Sequence, residues 1–586
     1  MARRLNAPSS WRARPRACRP RPCTPRDRCC ARAPTCRWTL RSRWRTASFY
    51  CCSTPPTKPK ACVLSSTNAS PSSRANDPMN STNGNTLTLG VVGAGAMGRG
   101  IVQLFAQAGH RVRCFDAASG AAAKAVEFAL GMIGRGVEKG RLSAEDFNAI
   151  QGRVSACAQM ADLADCDVVI EAIVEDIEVK RTVFRALEDV VSETAVLASN
   201  TSSLTVADIA AACRHPARVA GLHFFNPVPL MKVAEVIAAL RTSPQTVDTL
   251  SRLVSGAGHR AVVTADQPGF LVNHAGRGLY TEGLRILEEQ AASPADVDDV
   301  LRDGVGFRMG PFELLDLTGL DVSSKVMASI YEQFQHEPRF RPSSLVAPRV
   351  AAGLFGRKTG EGWYAYDGDR KRAPQRLAPP PPVAGVRAWI DPQAGGREAL
   401  GALLSDAGAV LVDDTTQADI LFVQPWGGDA TGVAAALGLD ASRVVAVDPM
   451  VPLDLRRTLM LTATTSASAR DIAWALLAAD GVPVTLINDS PGFIAQRVLA
   501  TVVNIAAQIA QRGIASVADI EDAVQLGLGY PHGPLAWGDR IGGARILQIL
   551  RTMQAETGDP RYRPSPWLVR RVALGVSLLT PEAARA

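Results

Sequence analysis

Short apolar runs recur along the chain, each closed by a polar cluster and followed by a stretch of helical periodicity. Leu87–Val92 is apolar without alternation, the pattern of a strand buried on both faces. A glycine cluster follows, then a helical pattern to Ala108, then a second strand-like run, Arg111–Phe115, closed by Asp116. Further strand-like runs at Asp167–Ile170, Ala195–Ala198 and Val219–Leu222 lead into EAIVED, SNTSS and HFFNP. Strands alternating with helices predict an α/β, doubly wound parallel sheet of the Rossmann type, with ligands gathered at the carboxyl ends of its strands. All three polar clusters begin at such ends.

After Asp266 the pattern becomes helical, from Pro268 to about Val350, punctuated by Gly-Pro turns. Pro379–Pro382 then reads as a stiff, extended linker. Beyond it lies an internal repeat at a constant offset of 223 residues: PGFLVNH at Pro268 returns as PGFIAQR at Pro491, Gly310-Pro311 as Gly533-Pro534, and Asp316 as Asp539. A register held without gaps indicates duplication of the helical domain. Between linker and repeat, VRAWID, GAVLVDD, ADILFVQP and RVVAVDPMVPL read as a degenerate Rossmann-like segment without a glycine fingerprint. The expected domains are a disordered extension (1–78), a dinucleotide-binding Rossmann domain (84–266), an all-α domain (267–370), a Pro-rich linker (371–383), a degenerate Rossmann-like segment (384–488) and a second all-α domain (489–586).

Charge changes this picture only at the amino end. Of the chain's 64 Lys and Arg, 17 lie in the first 78 residues, against two of its 56 Asp and Glu, so the formal +8 becomes −7 for the remainder. A mildly acidic body gives no support to nucleic-acid binding, and no apolar run is long enough to span a bilayer. Eight of the twelve cysteines also fall at or before Cys62, and the other four have no metal-binding spacing. A reducing, cytoplasmic setting without a bound metal is the expectation.

Gly93, Gly95 and Gly98 fit G-x-G-x-x-G between a strand and a helix. The first permits the tight turn, the second lets a pyrophosphate approach the backbone, and the third lets helix and strand pack closely. Ala96 and Met97 open the helix whose amides face the phosphates. Asp116, at the end of the second strand, is placed to accept from ribose hydroxyls and would repel a 2′-phosphate, so the cofactor is expected to be NAD. His223, after a predicted strand, is the candidate base for a hydroxyl proton. Glu235 could fix its tautomer, but spacing leaves open whether the two meet. Ser202 is either a ligand for substrate or cofactor or a helix N-cap. Asn273 is either an oxygen ligand or a polar residue at a helix start. In the second half Val445 stands at the histidine's place and Gln496 at the asparagine's, so no second active site is expected.

Together GVVGAGAMGRGI, EAIVED, SNTSSL, GLHFFNPVPLMKVAEVI, DQPGFLVNH, GPFELLDLTGLD and FGRKTGEGWY resemble the L-3-hydroxyacyl-CoA dehydrogenases over Leu87 to Tyr366. The resemblance implies NAD-dependent oxidation of a (3S)-3-hydroxyacyl-CoA to the 3-oxoacyl-CoA. It makes His223 and Glu235 the catalytic pair, and Ser202 and Asn273 the substrate-side residues. It adds Glu175, Lys180, Asn226 and Lys358 to the cofactor contacts, and Lys139, on the helical arm after the second strand, to those of CoA. Met132 stands near where the family carries a serine on that arm. The two-part architecture is similar to bacterial enzymes of 3-hydroxybutyryl-CoA or 3-hydroxyadipyl-CoA, in fatty acid or phenylacetate catabolism, and leaves that choice open. Rival readings are a dehydrogenase of a free hydroxy acid, of the β-hydroxyacid or L-gulonate type, and a non-catalytic NAD-binding protein. The duplicated helical domains are expected to pack on each other as an intramolecular pseudo-dimer, with further homo-oligomerisation open.

Overall fold

A computed structural model describes residues 86–583. The expected extension, 1–78, lies outside the described residues. Eight strands form the first sheet: β1 (Thr88–Val92), β2 (Arg111–Phe115), β3 (Val154–Ala156), β4 (Val168–Glu171), β5 (Val196–Ser199), β6 (Val219–Phe224), β7 (Val233–Ala238) and β8 (Arg260–Ala265). Their order is β3-β2-β1-β4-β5-β6-β7-β8, so the winding reverses between β1 and β4, where the glycine turn and EAIVED flank one crevice. The doubly wound sheet holds with one amendment: β6 and β7 pair antiparallel. Eight residues connect them, too few for the crossover that parallel pairing needs. His223 also lies inside β6, not after it, because the strand runs two residues past Leu222.

The helical region begins with the short helix Val272–Ala275 and continues as Arg277–Glu288, Pro294–Asp299, Pro311–Thr318 and Leu320–Gln333, closed by the hairpin β9 (Tyr366–Asp367) and β10 (Arg370–Lys371). Asp298 accepts from the amides of Phe312 (3.0 Å) and Glu313 (2.9 Å) at the start of the Pro311 helix. At the 223-residue offset, Glu521 does the same for Leu535 (2.8 Å) and Ala536 (3.1 Å). These carboxylates satisfy helix-start donors that have no partner within the helix.

A second sheet follows the linker: β11 (Arg387–Ile390), β12 (Val410–Leu411), β13 (Ile420–Val423), β14 (Val444–Val447), β15 (Arg457–Leu461) and β16 (Val484–Ile487), ordered β12-β11-β13-β14-β15-β16. It keeps the antiparallel step, at β14 and β15, but has two strands fewer than the first. The last helices run from Ala495–Gln511 to Pro566–Leu574.

Contacts between the halves are reciprocal. The Ala265 amide donates to the Ile514 carbonyl (2.8 Å), and the Asn488 amide to the Ala291 carbonyl (2.9 Å), the same bond with the two copies exchanged. Helices Arg277–Glu288 and Ala495–Gln511 cross where Gly278 has no side chain; a Cβ there would lie 3.2 Å from the Val502 backbone. Nearby, buried Arg497 donates to Glu282 (2.8 Å) and Glu289 (2.8 Å), and its Nη2 lies 3.0 Å from the Tyr562 hydroxyl. One continuous apolar core includes residues of both helical regions and of the second sheet. Among the described residues no helix is long and apolar enough to cross a membrane.

Candidate active site

The glycine turn fulfils three separate steric demands. Gly93 has φ +108°, and a Cβ there would lie 2.5 Å from the Ala172 carbonyl oxygen. At Gly98 a Cβ would strike the Gly93 carbonyl oxygen at 1.8 Å, whereas at Gly95 it would meet nothing within 4 Å. The space over Gly95 opens onto the start of helix Ala96–Gln107, where Ala96 is exposed and Met97 half-buried. Asp116 Oδ2 accepts from the Ala94 amide at 2.7 Å, and Oδ1 from Ala118 at 2.8 Å. The acid thus holds the turn itself at the end of β2. A dinucleotide pyrophosphate fits this cradle: the open face at Gly95 admits it, and the helix amides supply donors.

Antiparallel pairing sets His223 directly opposite Glu235. His223 is 6% exposed and Glu235 fully buried. Their Nδ1 and Oε2 atoms are 2.5 Å apart; next to a carboxylate the Nδ1 proton is donated, which leaves Nε2 as the acceptor. Glu235 Oε1 accepts from the amides of Leu271 (2.9 Å) and Val272 (2.8 Å), just after the PGF turn. A carboxylate bound on both oxygens cannot swing, so the imidazole is held in one tautomer and one orientation. Phe225 packs edge-on against the imidazole, with ring centroids 4.5 Å apart. Asn273 lies one residue past Val272, half-buried at the helix start.

Ser202 is not a helix cap. Its helix begins at Val206, and the free amides of Val206 and Ala207 are taken by Asp266, at 3.0 and 2.7 Å. Ser202 instead sits in the loop after β5, its amide donating to Glu175 Oε1 at 2.8 Å and its hydroxyl at 3.3 Å. Thr201 and Ser203 bond the same oxygen. Burial alone would raise the Glu175 carboxyl, but Lys180 and these donors together hold it below its ordinary value. Lys180, only 1% exposed, points inward, with Nζ 2.6 Å from Glu171 and 3.4 Å from Glu175. It braces the Glu175 loop from behind.

Asn226 is exposed at the turn after β6. Lys358 pairs with Asp321 in the helical region, and Lys139 stands exposed at the end of helix Ala121–Glu138. None of these three bonds to His223, Glu235, Ser202 or Glu175. Two positioning residues escaped the sequence reading. Asn200 accepts from the Phe224 amide at 2.8 Å and ties the serine loop to the histidine strand. Glu171, at the buried end of β4, takes the hydroxyl of Ser199 at 2.7 Å as well as Lys180. Its signal was an acid closing an apolar strand, with a lysine nine residues on.

Comparison with known proteins bears on the whole arrangement. The family model for the 3-hydroxyacyl-CoA dehydrogenase NAD-binding domain matches residues 88–267. The model for the C-terminal domain matches twice, at 269–366 and 492–577. The chain is 36% identical to the 3-hydroxyadipyl-CoA dehydrogenase of Escherichia coli K12 over 490 residues, 84% of this chain and 98% of that protein. It is 38% identical to the human mitochondrial hydroxyacyl-coenzyme A dehydrogenase over 283 residues, 47% of this chain and 90% of that protein. A crystal structure of 3-hydroxybutyryl-CoA dehydrogenase from Escherichia coli K12 matches with a TM-score of 0.72 and 35% identity, covering 84% of this chain and 99% of that one. With glycine turn, histidine–glutamate pair and duplicated helical domain all in place, the chain belongs to the 3-hydroxyacyl-CoA dehydrogenase family.

Proposed function

We propose that this protein oxidises a (3S)-3-hydroxyacyl-CoA to the 3-oxoacyl-CoA, reversibly, with NAD. The observation that carries the reading is the 2.5 Å contact between His223 and a glutamate fixed on both oxygens. His223 Nε2 accepts the C3 hydroxyl proton, and the resulting imidazolium is stabilised by Glu235 through Nδ1–H. NAD, when bound, supplies the hydride acceptor. Gly93, Gly95 and Gly98, with Ala96 and Met97, cradle its pyrophosphate; Asp116 takes the ribose; Glu175, braced by Lys180, Asn226 and Lys358 complete the cofactor side. Ser202 and Asn273 hold the substrate oxygen, and Lys139 meets CoA. The acyl group is that of 3-hydroxybutyryl-CoA or 3-hydroxyadipyl-CoA.

The assay is NADH absorbance with acetoacetyl-CoA. Expected is oxidation of NADH, with NADPH at least about tenfold poorer because Asp116 repels a 2′-phosphate. A folded protein that oxidises neither would refute the reading.

We further propose that the helical domains form an intramolecular pseudo-dimer. The exchanged amide bonds of Ala265 and Asn488 support it, as does the Arg497–Glu282 pair, buried between the copies. The domain limits proposed with this reading are 84–266, 267–370, 384–488 and 489–586, with a linker at 371–383. A cytoplasmic location goes with the reading. The four thiols of the described residues are free, and burial pushes those of Cys114 and Cys166 up to about 12, as befits inert thiols in a reducing compartment.

A further inference from the structure

Among the described residues, one buried cation next to Asn273 has no counter-ion. Arg277 opens the helix that follows the short Val272–Ala275 helix, four residues past Asn273. Its side chain is 6% exposed. Nε donates to the Asn273 carbonyl at 2.9 Å, which folds the guanidinium back toward the residue assigned to the substrate oxygen. The guanidinium carbon lies 4.7 Å from the centre of the Tyr280 ring. Among the described residues no carboxylate pairs with it; the ionisable groups around it are Tyr280, Tyr530 and the buried imidazole of His274. Other buried arginines of the helical regions are provided for: Arg497 has two glutamates, and Arg339 has Gln508 and two carbonyls. A buried charge left unpaired is costly, and burial correspondingly draws the Arg277 pKa down.

A second unfilled group faces the same place. Tyr530 belongs to the second half, in the loop after helix Val517–Leu528. Its hydroxyl is enclosed and has no hydrogen-bond partner, although buried tyrosine hydroxyls ordinarily find one. Its ring packs edge-on against Phe307, 4.8 Å between centroids. Phe307 is its own counterpart 223 residues earlier, so the hydroxyl is what distinguishes the copy that reaches Arg277. Arg308, the other cation near this loop, is exposed and passes Gly529.

We propose that Arg277 is the receptor for a carboxylate at the far end of the acyl chain, and that Tyr280 and Tyr530 flank it, the second half completing the pocket of the first. This rests on the hydroxyacyl-CoA reading above. Reach agrees with it. Three bonds beyond C3 cover roughly 4 Å, of the same order as the rise of about 6 Å over the four residues from Asn273 to Arg277. A four-carbon acyl group stops short, whereas a six-carbon ω-carboxyacyl group arrives with an anion that pairs with the guanidinium through charge-assisted hydrogen bonds. Selectivity on this scale follows when a substrate lacking the anion leaves the buried cation unpaired.

The test is NADH oxidation with 3-oxoadipyl-CoA and 3-oxohexanoyl-CoA, equal in length and differing only at the terminus. Expected for the natural protein is a kcat/KM about 10²-fold higher for the dicarboxylyl substrate. Arg277→Met should collapse that ratio to within about threefold of one, chiefly through KM of the dicarboxylyl substrate; Arg277→Lys should restore part of it, and Tyr530→Phe should lower it about tenfold. Turnover of both substrates by the natural protein without preference would overturn the proposal while leaving the reaction class intact. So would an Arg277→Met variant that loses both equally. A folded natural protein that turns over neither would remove the hydroxyacyl-CoA reading and this proposal with it. The comparison on the natural protein needs no variant to fold.

Discussion

The two halves carry the same frame around different chemistry. In the first, antiparallel β6 and β7 set His223 against Glu235; in the second, β14 and β15 set Val445 against Leu461. Both halves keep the PGF turn with its phenylalanine at positive φ, +48° at Phe270 and +51° at Phe493. In the first half that turn delivers two amides to Glu235; in the second there is no glutamate to receive them. Asn273 stays half-buried at its helix start, whereas Gln496, its counterpart, is fully buried and engaged with Gly427, Pro425 and Asp448. Duplication preserved what packs and released what reacts. The capping acids Asp298 and Glu521, the reciprocal amide bonds and the strained turn survive in both copies because folding needs them wherever the fold is used.

The comparison can be broken most severely at the dyad. Glu235→Gln should keep the bonds from Leu271 and Val272 but donate its own N–H to Nδ1, leaving Nε2 protonated and unable to act as a base. Turnover should fall by about 10³–10⁴-fold, with NADH affinity, read by fluorescence titration, within about twofold. A parallel loss of NADH binding would make the glutamate merely structural.

Next in size is the joint between the copies. Arg497→Met leaves buried Glu282 with only the more distant Arg561, at 3.8 Å, and the Tyr562 hydroxyl, and breaking a buried pair from one side costs about 3–5 kcal/mol. Denaturant unfolding should show that loss, and Glu282→Met added to it should recover a large part. A single variant as stable as the natural chain would mean that the pair does not secure the joint.

The smallest effect concerns Asp448, which stands where the first half has Asn226. Burial pushes its carboxyl up to about 6, despite the bonds from Gln496 and Met450, and its second oxygen has no partner. The folded pKa lies above the unfolded one, so this group's stability contribution is full below about pH 4 and is lost as pH rises through about 6. Asp448→Asn removes that slope. It should stabilise the protein by about 1–2 kcal/mol at pH 8 and by little at pH 4; equal effects at both pH values would contradict the assignment.

Much of this was legible in the chain before any coordinates. The three glycines have the three steric roles their spacing implies, because each role depends only on local backbone. The repeat was legible because the PGF turn, the Gly-Pro turns and the aspartate after them recur at one fixed offset, whereas the capping pair Asp298 and Glu521 emerged only from the fold. The His223–Glu235 contact was not legible from spacing, because it depends on strand direction and register. The short connection between the two runs was the available clue, since it forbids parallel pairing. Ser202 read equally well as a cap until Asp266, distant in sequence, was found holding the helix amides. Lys180 was expected at the cofactor, but the buried acid at the end of β4 draws it inward. Arg277 gave no signal in the chain: it is one of four charges in Arg277–Glu288, and only the fold shows that, unlike Glu282, Arg285 and Glu288, it has no ion-pair partner.

The central claim is that one imidazole, in the first half alone, handles the proton. Its most direct test is the NADH-linked turnover of His223→Gln at saturating 3-oxoacyl-CoA, with NADH titrated in parallel. The account predicts a fall of more than about 10³-fold in turnover with NADH affinity held to about twofold. Turnover within tenfold of the natural protein would contradict it.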